Sequence, residues 1–430
     1  MIGVPLCLKL RNEQSNRFGE VIMPIQVVRN FWNKRNREPQ ALLNRLVEIN
    51  SQSSYVRGVN KIQYLFASQL KHLGFQCLFL NNSVSKSGRL LFARRHCGVK
   101  NAPLITLVCH SDTVNTNDQR RRIICETKGS RLIGPGVLDD KSGMVTLLEF
   151  LKLYITEDPP QFDLAVVSSP NEEIGSPGFT EIFHNVGRRS FLVIGFEPGT
   201  SSGHVISRRN GNRWYKILIK GKGGHAGRFE PGKVNALHEL SCKISRLHEL
   251  NDFKRQMSIN LSRVETESRS YNTISDVATA YIDVRFSNLA DRAYIHDRLM
   301  EVLNSQNVFC PATQMACDAT YEIEDDCPPL AQNQKATVYL DMFRESYRDL
   351  WKEDIHEVAS EGASDLNYFS HQDNVVFDGL GGVGGRMHCV DEWVEVDSIS
   401  KRARALGAFF KELQFFVHRG GEQYVGKRES

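Results

Sequence analysis

Short strands that are apolar on both faces most constrain how this chain can fold. Residues 104–108, 162–167 and 191–196 are predominantly apolar runs of strand length, and a strand with no polar face has to be covered on both sides. Segments with the apolar spacing of helices alternate with these strands, for example residues 56–73 and 144–155. The alternation predicts an α/β fold in which helices cover a mostly parallel sheet.

The pattern changes after Gly203. Residues 213–220 and 282–286 alternate apolar and polar side chains, and helices are predicted between the strands at residues 234–247 and 291–303. The order β-α-β-β-α-β predicts an inserted α+β domain, with a layer of helices on one face of an antiparallel sheet.

The chain returns to its first domain after the insert. Residues 334–350, 375–377 and 399–416 have the patterns of a helix, a strand and a helix, and two domains are what a chain of 430 residues is expected to form. The predicted segments are an irregular N-terminal lead (1–37), the first part of the main domain (38–207), the insert (208–322), the second part of the main domain (323–417) and a polar tail (418–430).

Composition excludes several classes of protein. A net charge of +4 argues against a dedicated nucleic-acid binder, and no apolar run is long enough to predict a membrane span. The ten cysteines are scattered without a CxxC pair. This spacing predicts reduced thiols in a cytoplasmic protein rather than a disulfide framework.

The basic segment 1–37 lacks the apolar core of a secretory signal. Two interpretations stay open: the segment is an irregular lead, or translation starts at Met23. Glu13 and Glu20 disfavour a transit peptide. A membrane or partner contact through the basic side chains also stays open, although such charge runs are usually solvated faces.

Two motifs place imidazole and carboxylate groups next to the strand at 104–108. The strand is followed by His110 and Asp112, and a glycine-bracketed turn then carries Asp139 and Asp140 at the start of a predicted helix. Imidazole nitrogen and carboxylate oxygen are ligand types that bind zinc and similar cations. The sequence therefore predicts a metal site at the end of this strand.

Further motifs have the composition of a site. Glu172 and Glu173 follow a buried strand, Glu197 ends the next strand, His225 lies in a glycine-rich stretch of the insert, and His388 lies in a second glycine-rich stretch. A single histidine is more often a surface or core residue, and adjacent glutamates are common on surfaces. Because strands of an open α/β sheet present functional groups at their carboxyl ends, however, the combination is hard to explain as packing.

Six phrases resemble, in order and spacing, those of the M20 family of dinuclear zinc peptidases and deacylases. They are HSDTV, GPGVLDDKSG, NEEIGS, FEPG, GKGGHAG and GGVGGRMHCVDE. The resemblance extends from about Pro39 to Phe416, and within the family it is strongest to the glutamate carboxypeptidase (carboxypeptidase G2-like) branch. It implies a zinc-peptidase-like catalytic domain, formed by both parts of the main domain, and an inserted lid or dimerisation domain.

The resemblance implies two metal ions. One zinc is held by His110, Asp139 and Glu197. The second is held by Glu173, His388 and the same Asp139, which therefore bridges the two ions. Cobalt or manganese can substitute for zinc at sites with such ligands.

The resemblance also assigns roles beside the ligands. Glu172 is the general base that takes a proton from the water between the metals, and Asp112 orients the His110 imidazole through its far nitrogen. The peptide bond between Asp139 and Asp140 is implied to be cis.

Three residues of the insert are assigned to the substrate by the same resemblance. His225 of the partner subunit supplies a donor to the developing oxyanion, while Asn272 and Arg285 contact the substrate's carbonyl and its free carboxylate. An arginine on a strand is as often a surface ion-pair partner, so this alternative stays open for Arg285. Residues 362–365 match the family loosely, which leaves the shape of the substrate pocket open.

The resemblance therefore predicts a hydrolase with two zinc ions per chain that cleaves an amide bond next to an amino acid with a free carboxylate. An N-acyl-amino-acid deacylase or dipeptidase of the same family is the alternative. A non-catalytic, metal-bound dimer that binds a ligand or a protein is a different class, which the intact Glu172 disfavours. The expected partners are a small peptide or N-acyl amino acid and a second copy of the chain, bound through the insert.

Overall fold

The structure, a computed structural model, describes residues 37–114, 125–157, 160–228, 230–268, 270–331 and 334–418. The predicted N-terminal lead and polar tail lie outside these ranges, apart from residues 37 and 418.

The helices are α1 (Arg37–Val47), α2 (Val56–His72), α3 (Lys141–Glu157), α4 (Thr180–Gly187), α5 (Ala236–His248), α6 (Leu289–Asn304), α7 (Gln334–Trp351), α8 (Leu366–Phe369) and α9 (Val396–His418). The strands are β1 (Gln76–Leu80), β2 (Leu90–Arg95), β3 (Leu104–His110), β4 (Glu126–Lys128), β5 (Arg131–Ile133), β6 (Asp163–Ser169), β7 (Leu192–Gly195), β8 (Val205–Arg209), β9 (Gly211–Lys220), β10 (Gly224–His225), β11 (Ser258–Thr266), β12 (Thr273–Ile274), β13 (Val277–Phe286), β14 (Asp318–Cys327), β15 (Glu357–Ser360), β16 (Val375–Phe377), β17 (Gly384–Gly385) and β18 (Trp393–Glu395).

The main sheet has the strand order β1-β2-β6-β3-β7-β16. β3 runs parallel to β6 and β7, and β16 runs parallel to β7, whereas β1 and β2 form an antiparallel edge. The predicted α/β fold is confirmed, with a mixed sheet. β3, β6 and β7 are buried over nearly their whole length, as their lack of a polar face required.

Side chains of β3 point alternately into two cores. Ile105 and Leu107 belong to the larger core, to which α1, α2, α3, α7 and α9 contribute. Val108 belongs to a smaller core on the other face, together with Phe183 of α4 and Phe369 of α8. Successive side chains of a strand point to opposite faces, so helices hide both faces of the sheet. The site is therefore left to the strand ends.

A second sheet, with the order β11-β13-β9-β14, is antiparallel throughout. Its elements follow one another as β9, α5, β11, β13, α6 and β14, which is the predicted β-α-β-β-α-β order. Alternate residues of β13 are buried in a separate core with Leu240 of α5 and Leu299 of α6. The predicted border at residue 322 falls inside β14, which pairs with β9 as far as Cys327; the other borders stay predictions.

A small sheet, β17-β18-β5-β4, joins two distant parts of the chain. Trp393 of β18 pairs with Ile133 of β5, immediately before the glycine-bracketed turn. β17 pairs with β18 on its other side. These strand pairings position the glycine-rich segment that contains His388 beside the turn that contains Asp139.

Two expectations from composition concern the cysteines and the membrane. The cysteines in the described ranges are all free thiols, in agreement with their scattered spacing, and Cys7 lies outside those ranges. Within the same ranges, no helix combines the length and the apolar composition that crossing a membrane would need.

Candidate metal centre

The candidate ligands come largely from the carboxyl ends of three neighbouring strands. β3 ends at His110, β6 is followed by a 3-10 turn that carries Glu172 and Glu173, and β7 is followed by Glu197. Because these strands are parallel and adjacent, their carboxyl ends meet at one edge of the sheet.

Asp139 lies between two histidines. Its Oδ1 is 2.9 Å from Nε2 of His110, and its Oδ2 is 3.2 Å from Nε2 of His388. Each histidine has a second carboxylate nearby: Glu197 Oε1 is 3.6 Å from His110 Nε2, and Glu173 Oε2 is 3.4 Å from His388 Nε2. The two oxygens of Asp139 thus face two separate pairs of one histidine and one glutamate.

The turn that presents Asp139 depends on two glycines. Gly136 has a φ of +65°, and a Cβ at this position would lie 2.3 Å from Cγ2 of Thr113, so a side chain would clash. A Cβ at Gly143 would lie 1.9 Å from Oδ1 of Asp140. The peptide bond between Asp139 and Asp140 is cis, which confirms what the resemblance implied.

Asp140 holds the end of β3. Its Oδ2 accepts a hydrogen bond from the backbone N–H of His110 at 3.1 Å. Burial, together with the charges of Glu197 and Asp139, raises the pKa of Asp140 well above its usual value. The second of the two adjacent aspartates therefore supports the strand end, while the first faces the histidines.

Asp112 links His110 to the turn that carries the two glutamates. Its Oδ1 accepts a hydrogen bond from the N–H of Glu172 at 3.0 Å, and its Oδ2 accepts one from the N–H of Glu173 at 3.2 Å. Nδ1 of His110 is 3.1 Å from the backbone oxygen of Asp112 and 3.4 Å from its Oδ1. These contacts of Nδ1 fix the ring of His110 so that Nε2 faces the carboxylates, where it can bind a cation.

Charges within the cluster shift the pKa values of its histidines and of Asp139. Burial disfavours ionisation of Asp139, but hydrogen bonds with His110 and His388 outweigh burial and lower the pKa of this carboxyl below its usual range. Hydrogen bonds with Asp139 and Glu173 raise the pKa of His388 to about 10. Burial opposes protonation of His110, yet Glu197 and the neighbouring aspartates raise its pKa well above its usual value.

The pKa values of the three glutamates are raised mainly by burial. Burial and the charge of Asp139 raise the pKa of Glu173 to about 7. Burial raises the pKa of Glu197 to about 8, again with a contribution from Asp139. For Glu172, burial and the charge of Glu197 raise the pKa well above its usual value. Carboxylates packed this closely repel one another when ionised, and a bound cation removes that repulsion.

The chemistry of the donor set fits a metal centre, in which two groups of ligand atoms share His110. Ligand atoms of His110, Asp139 and Glu173 all lie within 4.8 Å of one another, as do those of His110, Glu172 and Glu197. Imidazole with carboxylate is the donor chemistry of zinc and related transition-metal sites. The side chain of His388 is 52% exposed, so a substrate can approach from that side.

His225 and Asn272 lie together in the insert. β10 pairs with β12, and Nδ2 of Asn272 is 3.4 Å from Nε2 of His225. Both side chains are exposed. These contacts join the two residues to each other and not to the cluster around Asp139, so their assignment to a substrate stays a prediction.

Arg285 lies on the face of the second sheet opposite its helices. Its Nε donates a hydrogen bond to Oδ2 of Asp283 at 2.9 Å, which is the ion pair of the alternative interpretation. The same side chain lines a groove of about 510 Å³ together with Trp214 and Tyr281. The groove has room for a ligand, and the substrate contact of Arg285 stays a prediction.

Two buried acidic residues near the site carry no assignment from the sequence. Asp378 directly follows β16, and its Oδ2 accepts a hydrogen bond from Nε of Arg209 at 2.8 Å; Nη1 of the same arginine donates to the carbonyl of Gly362 at 3.1 Å. Glu392 is the last residue of the glycine-rich motif that contains His388, and its carboxylate accepts hydrogen bonds from the turn that presents Asp139. The position of Asp378 at a strand end is the signal that could have identified it.

Comparison with known sequences identifies a metal-dependent hydrolase that acts on amide bonds. The chain belongs to peptidase family M20/M25/M40, whose sequence model matches residues 106–412. Carboxypeptidase G2 of Pseudomonas sp. (strain RS-16) is 27% identical over 254 residues, which are 58% of this chain and 60% of that protein. Succinyl-diaminopimelate desuccinylase of Ehrlichia ruminantium (strain Gardel) is 23% identical over 364 residues, which are 81% of this chain and 90% of that protein.

Solved structures share the fold. The aminopeptidase PepT of Bacillus cereus ATCC 10987 has a TM-score of 0.71 at 17% identity, over 88% of this chain and 99% of that chain. The YXEP protein of Bacillus subtilis, described as a dinuclear metal binding peptidase from the M20 family, has a TM-score of 0.62 at 14% identity, over 89% of this chain and 98% of that chain. At such identities the likeness establishes the fold alone.

The raised pKa values predict that the metal-free chain loses stability as the pH rises from about 5 to about 10. The folded-state pKa values of His388, Glu173 and Glu197, at about 10, 7 and 8, all exceed the values of the unfolded chain. The folded state therefore binds more protons, and its stability falls as they dissociate. Asp139, whose pKa is lowered, stays ionised throughout this range and therefore contributes no change in stability.

Calorimetry of the chelator-treated chain across this pH range measures the effect as a falling unfolding temperature. The variant Glu173→Gln should show a shallower fall, because one of the titrating groups is removed. Zinc added at the upper end of the range should restore the unfolding temperature. An unfolding temperature that is constant or rises with pH would contradict the charge balance described for the cluster.

Proposed function

We propose that this chain is a zinc-dependent carboxypeptidase with two metal ions, which cleaves the amide bond next to an amino acid with a free carboxylate, as glutamate carboxypeptidases do. The observation that carries the proposal is the position of Asp139, whose two oxygens face His110 and His388 separately. A carboxylate placed in this way suits a bridge between two ions. The match to carboxypeptidase G2 supports the choice of substrate class.

Each ion would have its own histidine and glutamate. We assign His110 and Glu197 to one ion and His388 and Glu173 to the other, with Asp139 shared. Asp112 keeps the His110 ring in place through the contacts of its backbone oxygen and Oδ1. Ions held by these residues would supply Lewis acidity, which would polarise the carbonyl of the substrate and lower the pKa of a bound water molecule.

Glu172 is the general base in this proposal. Its carboxylate lies in the group of ligand atoms with His110 and Glu197, and its backbone N–H is held by Asp112 at 3.0 Å. A carboxyl with a raised pKa can hold a proton at neutral pH. Glu172 takes one proton from the attacking water and delivers it to the amide nitrogen as the C–N bond breaks. The second proton of the water also passes to the nitrogen, so the products are a carboxylate and an ammonium group.

The insert is proposed to bind the substrate and a second copy of the chain. β11 is one of the two edge strands of the second sheet and is exposed over most of its length, so it offers backbone groups to a partner strand. In the dimer, His225 of the partner subunit would donate to the oxyanion of the reacting carbonyl. Asn272 would contact the substrate's carbonyl, and Arg285 its carboxylate.

A deacylase or dipeptidase is the second candidate, and the match to the desuccinylase over 90% of that protein favours the deacylase. These activities differ only in the group on the acyl side of the amide, so the same metal centre serves each of them. A panel of N-acylated amino acids and dipeptides, compared by kcat/KM, separates them. We also propose a cytoplasmic location, which the free thiols of the described cysteines support.

The variant Glu172→Gln should keep both metal ions and lose turnover. The amide cannot accept or deliver the proton, so kcat should fall by about 10²–10⁴-fold, the usual contribution of a general base. Metal content and kcat on an amide substrate are measured on the same preparation. Glu181→Gln is the matched control, because Glu181 is an exposed residue of α4, and this variant should behave as wild type. Undiminished turnover of Glu172→Gln would contradict the role of Glu172 as general base.

Mixing two variants tests whether His225 acts across a dimer. Glu172→Gln and His225→Ala should each be nearly inactive alone, since each breaks every site of its own dimer. After subunit exchange, half of the dimers are mixed and each has one complete site, so activity should recover to about a quarter of wild type.

An exposed histidine of the insert provides the control for this experiment. His238 lies on α5, and His238→Ala should be active without any mixing. If the mixture of Glu172→Gln and His225→Ala shows only the sum of its parts, His225 does not act across the dimer. Full activity of His225→Ala alone would show that it has no role in catalysis.

A further inference from the structure

Glu392 is a buried carboxylate, 2% exposed, that binds the turn presenting Asp139. Its Oε1 accepts hydrogen bonds from the N–H of Leu138 at 2.7 Å and of Asp139 at 2.8 Å, and its Oε2 accepts one from the N–H of Gly136 at 3.0 Å. Three donors of one turn thus converge on one side chain. An ionised carboxylate, which only accepts, suits all three.

Backbone contacts place Glu392 between two segments that carry ligands. Its carbonyl oxygen accepts a hydrogen bond from the N–H of Gly134 at 2.9 Å, where the turn of Asp139 begins. Its own N–H donates to the carbonyl of Cys389 at 3.2 Å, which closes the loop of His388. β18, which pairs with β5, starts at the next residue. Glu392 therefore connects the segment of Asp139 with the segment of His388.

The two pairs of ligands depend on Glu392 to different degrees. His110 and Glu197 come from buried parallel strands and are only 1% and 8% exposed. His388, by contrast, has a half-exposed side chain and a φ of +63°, and residues 386–391 around it are exposed. Glu392 is the buried anchor of that loop. A metal ion held by His388 would depend on Glu392 twice, through the loop and through Asp139.

We infer that Glu392 is a positioning residue that sets the affinity of the centre for one of its two metal ions, the one held by His388 and Glu173. In this inference Glu392 is not a ligand and does not contact the substrate. It holds the turn of Asp139 and the loop of His388 in fixed positions relative to each other. The inference rests on the two-metal function proposed above. Partners that orient metal ligands commonly affect metal affinity in this way.

The variant Glu392→Gln tests the inference, because it keeps the size of the side chain and removes its charge. The amide oxygen can still accept from two N–H groups, but its NH2 group then faces the third. Zinc binding at the site of His388 and Glu173 should fall by about 10–100-fold. Binding at the site of His110 and Glu197, which depends on Glu392 only through the shared Asp139, should fall less. Calorimetric titration of the metal-free full chain with zinc measures both affinities.

A glutamate on the neighbouring strand provides the matched control. Glu395 of β18 forms an ion pair with the half-exposed Arg131 at 2.6 Å and makes no contact with the turn of Asp139 in the described residues. Glu395→Gln should therefore bind both zinc ions as wild type does. A loss of metal in this control would assign the effect to the small sheet as a whole and overturn the specific role of Glu392.

Glu392→Asp is the second variant, and it decides the question if Glu392→Gln does not fold. It keeps the charge but withdraws the carboxylate by one methylene group, so binding at the site of His388 and Glu173 should again fall more than binding at the other site. Wild-type affinity for both ions in a folded variant overturns the inference. Equal weakening of both ions also overturns it, since a merely structural role gives that result. A wild-type chain that binds fewer than two ions would instead contradict the proposed function.

Discussion

The carboxylate of Asp139 is the group on which the rest of the site depends. One oxygen faces His110, which ends a strand of the main sheet, and the other faces His388, which lies on a loop far along the chain. Around this group, buried carboxylates and imidazoles are packed at hydrogen-bonding distance. Burial of so much charge is costly unless protons or cations compensate it, and this cost explains why the pKa values of the glutamates are raised.

The surrounding structure divides into parts with different tasks. The main sheet, covered by helices on both faces, provides rigid strand ends for His110, Glu173 and Glu197. Glycines and the carboxylate of Glu392 hold the turn of Asp139 in a conformation that brings its two oxygens towards two histidines. The insert has its own core and carries the residues assigned to the substrate. Members of one family can therefore share a centre and differ in the amide that they cleave.

The sequence predicted the parts of this arrangement that depend on local pattern. Predominantly apolar runs indicated the buried strands, and short motifs at their ends indicated the candidate ligands. The antiparallel edge formed by β1 and β2 was not predicted, because residue pattern does not determine the direction in which a strand pairs. Glu392 had no assigned role, since its contacts join residues more than 250 positions apart (256 for Gly136). The role proposed for His225 would depend on a second copy of the chain, about which one sequence says little.

The most direct test of the two-metal centre is anomalous diffraction at the zinc absorption edge, from crystals of the full chain grown with zinc. The account predicts two strong peaks, one beside each oxygen of Asp139, with His110 and Glu197 around the first and His388 and Glu173 around the second. A single peak, or two peaks that do not share Asp139, would contradict it.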